Sequence, residues 1–268
     1  MLSLARVILR RARQEHLLQA AGSLAFTTVL SIVPLVAVGF ALFERFPLFD
    51  RFEAALDEHL LRPLLPTEIA RTVLGHLHRF AANAGALTAV GSLFLLAAAV
   101  ALLFTVDSTL NRLWNVKRAR PIARRLGLYL AMLLAGPPVL GLTLWAMSAV
   151  VGASLGRVGP LPAEAAFVLQ LAPTALAWGA LAVLYRVVPY TRVPWPSALV
   201  GGLVGSAALE LGKRGFAAYL VQLPTYKTLY GTFAVFPLFM LWVWFSWLVT
   251  LAAALVAANL GREGAARG

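Results

Sequence analysis

Six long apolar stretches, sparse in charge through their middles, organise the chain: approximately Ala20 to Phe43, Ala84 to Val106, Leu126 to Gly152, Ala165 to Val188, Pro196 to Leu220 and Thr232 to Ala258. Each exceeds the roughly 20 helical residues that cross a hydrocarbon core of about 30 Å. The pattern predicts an all-α, polytopic membrane bundle of six transmembrane helices. The fifth stretch departs from the others because Glu210, Lys213 and Arg214 lie inside it. A charge in lipid costs at least about 2.5 kcal/mol, so pairing, water or an interface must hold these three.

Outside the spans the periodicity predicts two further helical regions. Over about residues 1–18, Arg6, Arg10 and Arg13 recur on one helix face while Leu4, Val7 and Ile8 lie elsewhere, the signature of an interfacial amphipathic helix. The apolar run that follows from Ala20 is too long for a cleavable signal and has no clear small-residue cleavage site. In the loop over about 44–83, Phe52, Leu56 and Leu60 precede Pro63. After Pro66, Thr67 can cap a second helix with Ile69, Val73, Leu77 and Phe80 on its apolar stripe. Short amphipathic helices on the outer membrane face are expected there. His59, His76 and His78 fall in the same loop, but positions two apart on a helix do not share a face, and no metal site is expected.

Within the spans, Pro34, Pro137, Pro138, Pro173 and Pro237 each remove a backbone donor and are expected to kink their helices. Gly201 with Gly205, and Ala253 with Ala257, repeat small residues at a spacing of four, which predicts close helix packing and also permits a homo-dimer.

Composition narrows the class. Hydrophobic residues make up 60% of the 268 positions and charged residues 13%, too apolar for a water-soluble globule. Six spans leave no room for a separate soluble domain, so a single membrane domain over 1–268 is expected. The chain has no cysteine, which removes disulfides, thiolate metal sites and cysteine nucleophiles together. Basic residues cluster before the first span (Arg6, Arg10, Arg11, Arg13) and between the second and third (Arg112, Lys117, Arg118, Arg120, Arg124, Arg125), whereas the next loop has only Arg157. Basic loops are retained inside, so both termini are expected in the cytoplasm. The first external loop runs against that count with Arg45, Arg51, Arg62, Arg71 and Arg79, beside six acids. The net charge of +12 reads as attraction to a phospholipid bilayer with anionic headgroups rather than to nucleic acid.

Two groups of residues are candidates for function. Asp107, Asn111, Arg112 and Trp114 follow the second span at the predicted cytoplasmic interface. Trp favours that layer, Asn bridges backbone groups, and Arg112 can meet Asp107 or a lipid phosphate. An anchoring belt and a gate or docking element both fit. The second group is Glu210, Lys213 and Arg214, roughly 20 to 26 Å along a helix entering at Ser197. Glu210 and Arg214 can pair four residues apart, leaving the Lys213 charge for an anionic substrate. A span ending near Leu209, with all three as snorkelling anchors, competes with that account. No cluster of His and carboxylate ligands, and no evident Ser, His and acid set, points to hydrolysis. Neither an enzyme nor a cofactor is expected.

Four segments carry a resemblance. The run from Ala20 to Phe26 followed by Leu30-Ser31-Ile32-Val33-Pro34-Leu35, and Asp107 through Trp114 with its Asn-x-x-Trp, are similar to segments of the YihY/BrkB inner-membrane family. So are Val188-Pro189 with Trp195, Gly201 through Glu210, Lys213, Phe216 and Tyr219, and Tyr230-Gly231-Thr232 with Leu241-Trp242. The likeness covers nearly the whole chain. It implies a bacterial inner-membrane protein from a family labelled ribonuclease, serum-resistance factor and transporter. A transporter or flippase for a lipid or other amphipathic anion is expected, its path including Glu210, Lys213, Arg214, Tyr219 and Tyr230. The alternatives are a structural or regulatory membrane protein and, least favoured, a membrane-bound hydrolase.

Overall fold

A computed structural model describes residues 2–44, 89–118, 120–135, 163–221 and 235–267. Among the described residues there are seven helices and no strand: α1 (Leu2–Gln14), α2 (Leu17–Glu44), α3 (Ala89–Leu113), α4 (described over 122–135), α5 (Ala163–Val187), α6 (Trp195–Val221) and α7 (Val235–Arg267). The all-helical expectation holds, and the six predicted spans correspond in order to α2 through α7. The count of six crossings does not follow from the structure alone. Among the described residues, Leu96–Leu113 and Phe236–Gly261 are long and apolar enough to cross a membrane, and Leu17–Ile32 forms a shorter apolar helix. In α6 the apolar run is diluted by glycines and by Glu210, Lys213 and Arg214. The helices expected in the first external loop lie outside the described residues, together with His59, His76, His78, Pro137, Pro138 and Tyr230.

The chain divides into two compact units. The first comprises Met1–Leu30, Leu102–Arg120 and Ala177–Gly268. Its centre is the α6–α7 pair, which packs antiparallel on small residues. A Cβ on Gly201 would stand 2.6 Å from the Ala257 Cβ, and one on Gly205 3.1 Å from the Ala253 Cβ. Farther along, Gly212 faces the Phe245 ring and Phe216 meets Trp242 at 5.4 Å between ring centroids. The other side of α6 is as close to α5, where a Cβ on Gly202 would lie 2.9 Å from the Trp178 carbonyl oxygen. At Gly201 and Gly202 the neighbouring Cβ and backbone leave room for hydrogen alone. The small-residue faces are thus used within the chain.

Tryptophans of α7 hold α2 in the same unit: the Trp247 indole donates to the Thr28 hydroxyl at 2.9 Å and the Trp244 indole to the Leu18 carbonyl at 3.3 Å. Leu17, Ala21 and Leu24 of α2, Leu110 and Leu113 of α3, and Leu251 and Leu255 of α7 are buried. The outer surface is also apolar, with Phe26, Leu30, Leu199, Leu203 and Leu211 exposed. Such a surface is matched by hydrocarbon rather than water.

The second unit comprises Ser31–Ala101 and Pro121–Leu176. Here the buried Ser31 hydroxyl donates to the Ala98 carbonyl at 3.2 Å, tying α2 to α3, and Tyr129 and Leu133 of α4 are buried. The expected proline kinks divide by position. Pro34 and Pro173 lie inside α2 and α5, which continue past them. Pro237 is in the first turn of α7, where backbone N–H groups have no intrahelical acceptor, so it begins that helix instead of interrupting it.

Candidate functional site

The charged group of α6 is one acid between two bases. Lys213 Nζ lies 2.5 Å from Glu210 Oε2 and Arg214 Nε lies 3.6 Å from Glu210 Oε1, from positions three and four residues along the helix. The sequence paired Glu210 with Arg214 and left Lys213 over; the structure gives Lys213 the shorter contact and Arg214 the looser one. Helix geometry permits both, because i+3 and i+4 flank the same acid. The Glu210 side chain is 30% exposed, Lys213 46% and Arg214 76%. The triad therefore stands on the outside of α6, not among buried side chains. On the face of α6 that meets α7, the side of Gly212, Phe216 packs on Tyr219 at 6.3 Å and Trp242 on Phe245 at 5.8 Å, while the triad keeps one net positive charge on the outside.

The second group forms a polar knot at the end of α3. Asp107 is only 2% exposed, and the Asn111 amide donates to its Oδ1 at 2.7 Å and to its carbonyl at 2.8 Å. The Asn111 Oδ1 then accepts the Tyr190 backbone N–H at 2.7 Å, joining α3 to the segment between α5 and α6. Trp114 stacks at 6.2 Å on Tyr185, a buried residue of α5 whose hydroxyl donates to the Thr250 carbonyl of α7 at 2.8 Å. Arg112 meets Glu15 at 3.6 Å, where Asp107 or lipid phosphate was the expected partner. Asn115 takes φ 53° and ends the helix, its N–H bonded to the Arg112 carbonyl and that of Val116 to the Asn111 carbonyl.

Arginines close the helix ends around this knot. Arg11 of α1 donates to the Leu113 carbonyl at 2.9 Å and to Asn259 Oδ1 of α7 at 2.7 Å. Arg120 donates to the Val187 and Val188 carbonyls at 3.1 and 3.2 Å and lies 5.2 Å from the Tyr190 ring centre. Arg186 donates to the Val193 carbonyl and covers the Trp195 ring. Unsatisfied carbonyls at helix C-termini attract such donors, and a guanidinium reaches two at once. Among the described residues no buried side-chain nitrogen or oxygen lacks a partner.

The structure brings Asp107, Asn111 and Trp114 together with Arg11, Glu15, Tyr185, Tyr190 and Asn259, which sequence reasoning did not connect. Asn259, a lone amide after an alanine-rich run, carried a signal that could have found it. Glu210, Lys213, Arg214 and Tyr219 share the C-terminal half of α6, and the Tyr219 side chain is exposed. Among the described residues, no group of three or more His, Cys, Asp or Glu is placed to hold a metal ion.

A family model described as Virulence factor BrkB matches residues 8–268. A UPF0761 membrane protein of Ralstonia nicotianae is 45% identical over 258 residues, covering 96% of this chain and 58% of its own length. UPF0761 membrane proteins of Methylibium petroleiphilum and Bordetella petrii are each 43% identical, covering 93% of this chain and 60% and 55% of their own lengths. The chain thus spans about three fifths of the curated relatives it matches. No solved structure matches.

Proposed function

Because the chain belongs to the Virulence factor BrkB family, whose relatives are named membrane proteins, we propose that it is a multi-pass protein of the bacterial inner membrane that moves a lipid or other amphipathic anion. In this reading it has six crossings and cytoplasmic termini, and it translocates its substrate without breaking a bond. The observation that carries it is the α6 triad. Glu210 neutralises one base and the other remains, with both cationic side chains turned outward. An anionic headgroup offers the complementary charge, and Leu203 and Leu211, exposed on the same helix, offer a surface for the apolar part of the same molecule. Tyr219 stands within this stretch, and Tyr230 belongs to the proposed path by resemblance.

The test is reconstitution. Purified protein in liposomes should speed the passage of labelled anionic phospholipid, and Lys213→Glu should reduce that rate at least about tenfold while Lys213→Arg largely keeps it. Unchanged movement in Lys213→Glu would sink the proposal. A structural or regulatory role, with the triad as an interfacial anchor, is favoured by one observation, the wide exposure of Arg214. It predicts no lipid movement in wild-type liposomes.

A further inference from the structure

We propose that α1 binds a membrane surface: its outward face, Arg6, Arg10 and Arg13, holds the phosphates of anionic headgroups in the leaflet that α2 enters. Two observations separate this face from the rest of the helix. First, α1 is fastened to the protein on its other side. Arg11 bonds Asn259 of α7 and the last carbonyl of α3, and Glu15, just past the helix end, meets Arg112. These contacts fix the rotation of α1, so the face opposite cannot turn inward. Second, that face is basic and bare. Arg6, Arg10 and Arg13 fall at i, i+4 and i+7, are exposed, and have no ion-pair partner among the described residues, and the thirteen residues of α1 contain no acid. Leu9 and Val7 flank the row and are 63% and 48% exposed.

A row of cations bordered by exposed aliphatic side chains fits one occupant better than any other. A lipid surface offers phosphate to the arginines and acyl-chain boundary to the leucine and valine, whereas a nucleic acid would satisfy only the charge. Position agrees with chemistry. The chain leaves α1, turns at His16 in the left-handed region (φ 49°), and begins α2 at Leu17. With α2 crossing the bilayer, so short a turn keeps α1 at the membrane face. The arginines on the two faces therefore have different roles: Arg11 joins protein to protein, and the other three join protein to lipid.

The absence of cysteine makes a direct test clean, since Leu9→Cys introduces the sole thiol for a fluorophore. The full chain is placed in nanodiscs of phosphatidylcholine alone, or mixed with phosphatidylglycerol, and quenched by headgroup-proximal nitroxide lipid. Quenching should be at least about twofold stronger in the anionic discs. It should fall to the neutral-disc level in R6Q/R10Q/R13Q and, without those substitutions, in about 1 M salt, where the screening length shrinks to about 3 Å. Equal quenching in both lipids, or an anionic preference that survives the triple substitution or the salt, overturns the proposal. Absence of quenching in either disc, with the label open to aqueous iodide, also overturns it and points to a soluble partner.

Discussion

Asn111 satisfies three groups with one side chain: the buried Asp107 carboxylate, the Asp107 carbonyl and the Tyr190 backbone N–H. Its removal takes one partner from the Asp107 carboxylate and the acceptor from the Tyr190 N–H, at a cost of about 1–3 kcal/mol. Asn111→Ala is therefore expected to lower the thermal unfolding temperature of the purified protein and its membrane yield together. A variant with full stability and lost transport would instead make Asn111 part of a gate. Trp114→Phe, which keeps a ring against Tyr185, should be far milder than Trp114→Ala, and paired melting curves would decide it. The sequence made Asn111 and Trp114 visible because a polar amide and an indole at a span end are conspicuous. It left Arg11, Arg120 and Arg186 indistinguishable from the other bases, since bonds to distant carbonyls leave no periodic trace in sequence.

At the scale of elements, the α6–α7 seam is where the sequence was most legible. Gly201 and Gly205 on one helix and Ala253 and Ala257 on the other announced close packing through spacing alone. Their mutual partnership required the antiparallel register, which pairs 201 with 257 and 205 with 253. A single methyl at Gly201 meets the Ala257 Cβ, so Gly201→Ala should destabilise by about 1–3 kcal/mol. Ala257→Gly in the same chain should recover part of that loss. Unfolding of both variants in detergent measures it, and equal melting of Gly201→Ala and wild type would contradict the register. The turns resisted reading for a different reason: His16 occupies the left-handed region with a branched ring, where Gly or Asn is the usual signal.

For the molecule as a whole, the proposed topology makes a plain prediction. Alkaline phosphatase fused after Gly268 should be inactive and green fluorescent protein at the same site bright, because the densest basic runs flank a pair of spans on one side of the membrane. An active phosphatase would invert the orientation and with it the leaflet assigned to α1. The apolar class was legible from composition, but the placement of Glu210, Lys213 and Arg214 on an outer surface was not. The same three residues in the same helix could have faced inward, and only the glycine side of α6, committed to α5 and α7, turned them out.

The hydrogen bond from Arg11 to Asn259 joins residues 248 positions apart. A ribosome adding about 5–20 residues per second needs roughly 12–50 seconds to travel between them. Throughout that interval α1 has only its contacts at the end of α3, the Leu113 carbonyl and Arg112, and lacks the amide of α7. The α7 part of the fastening of α1 is thus a late event of biosynthesis. A ribosome stalled before Asn259 would leave α1 more open to protease than synthesis past that residue does.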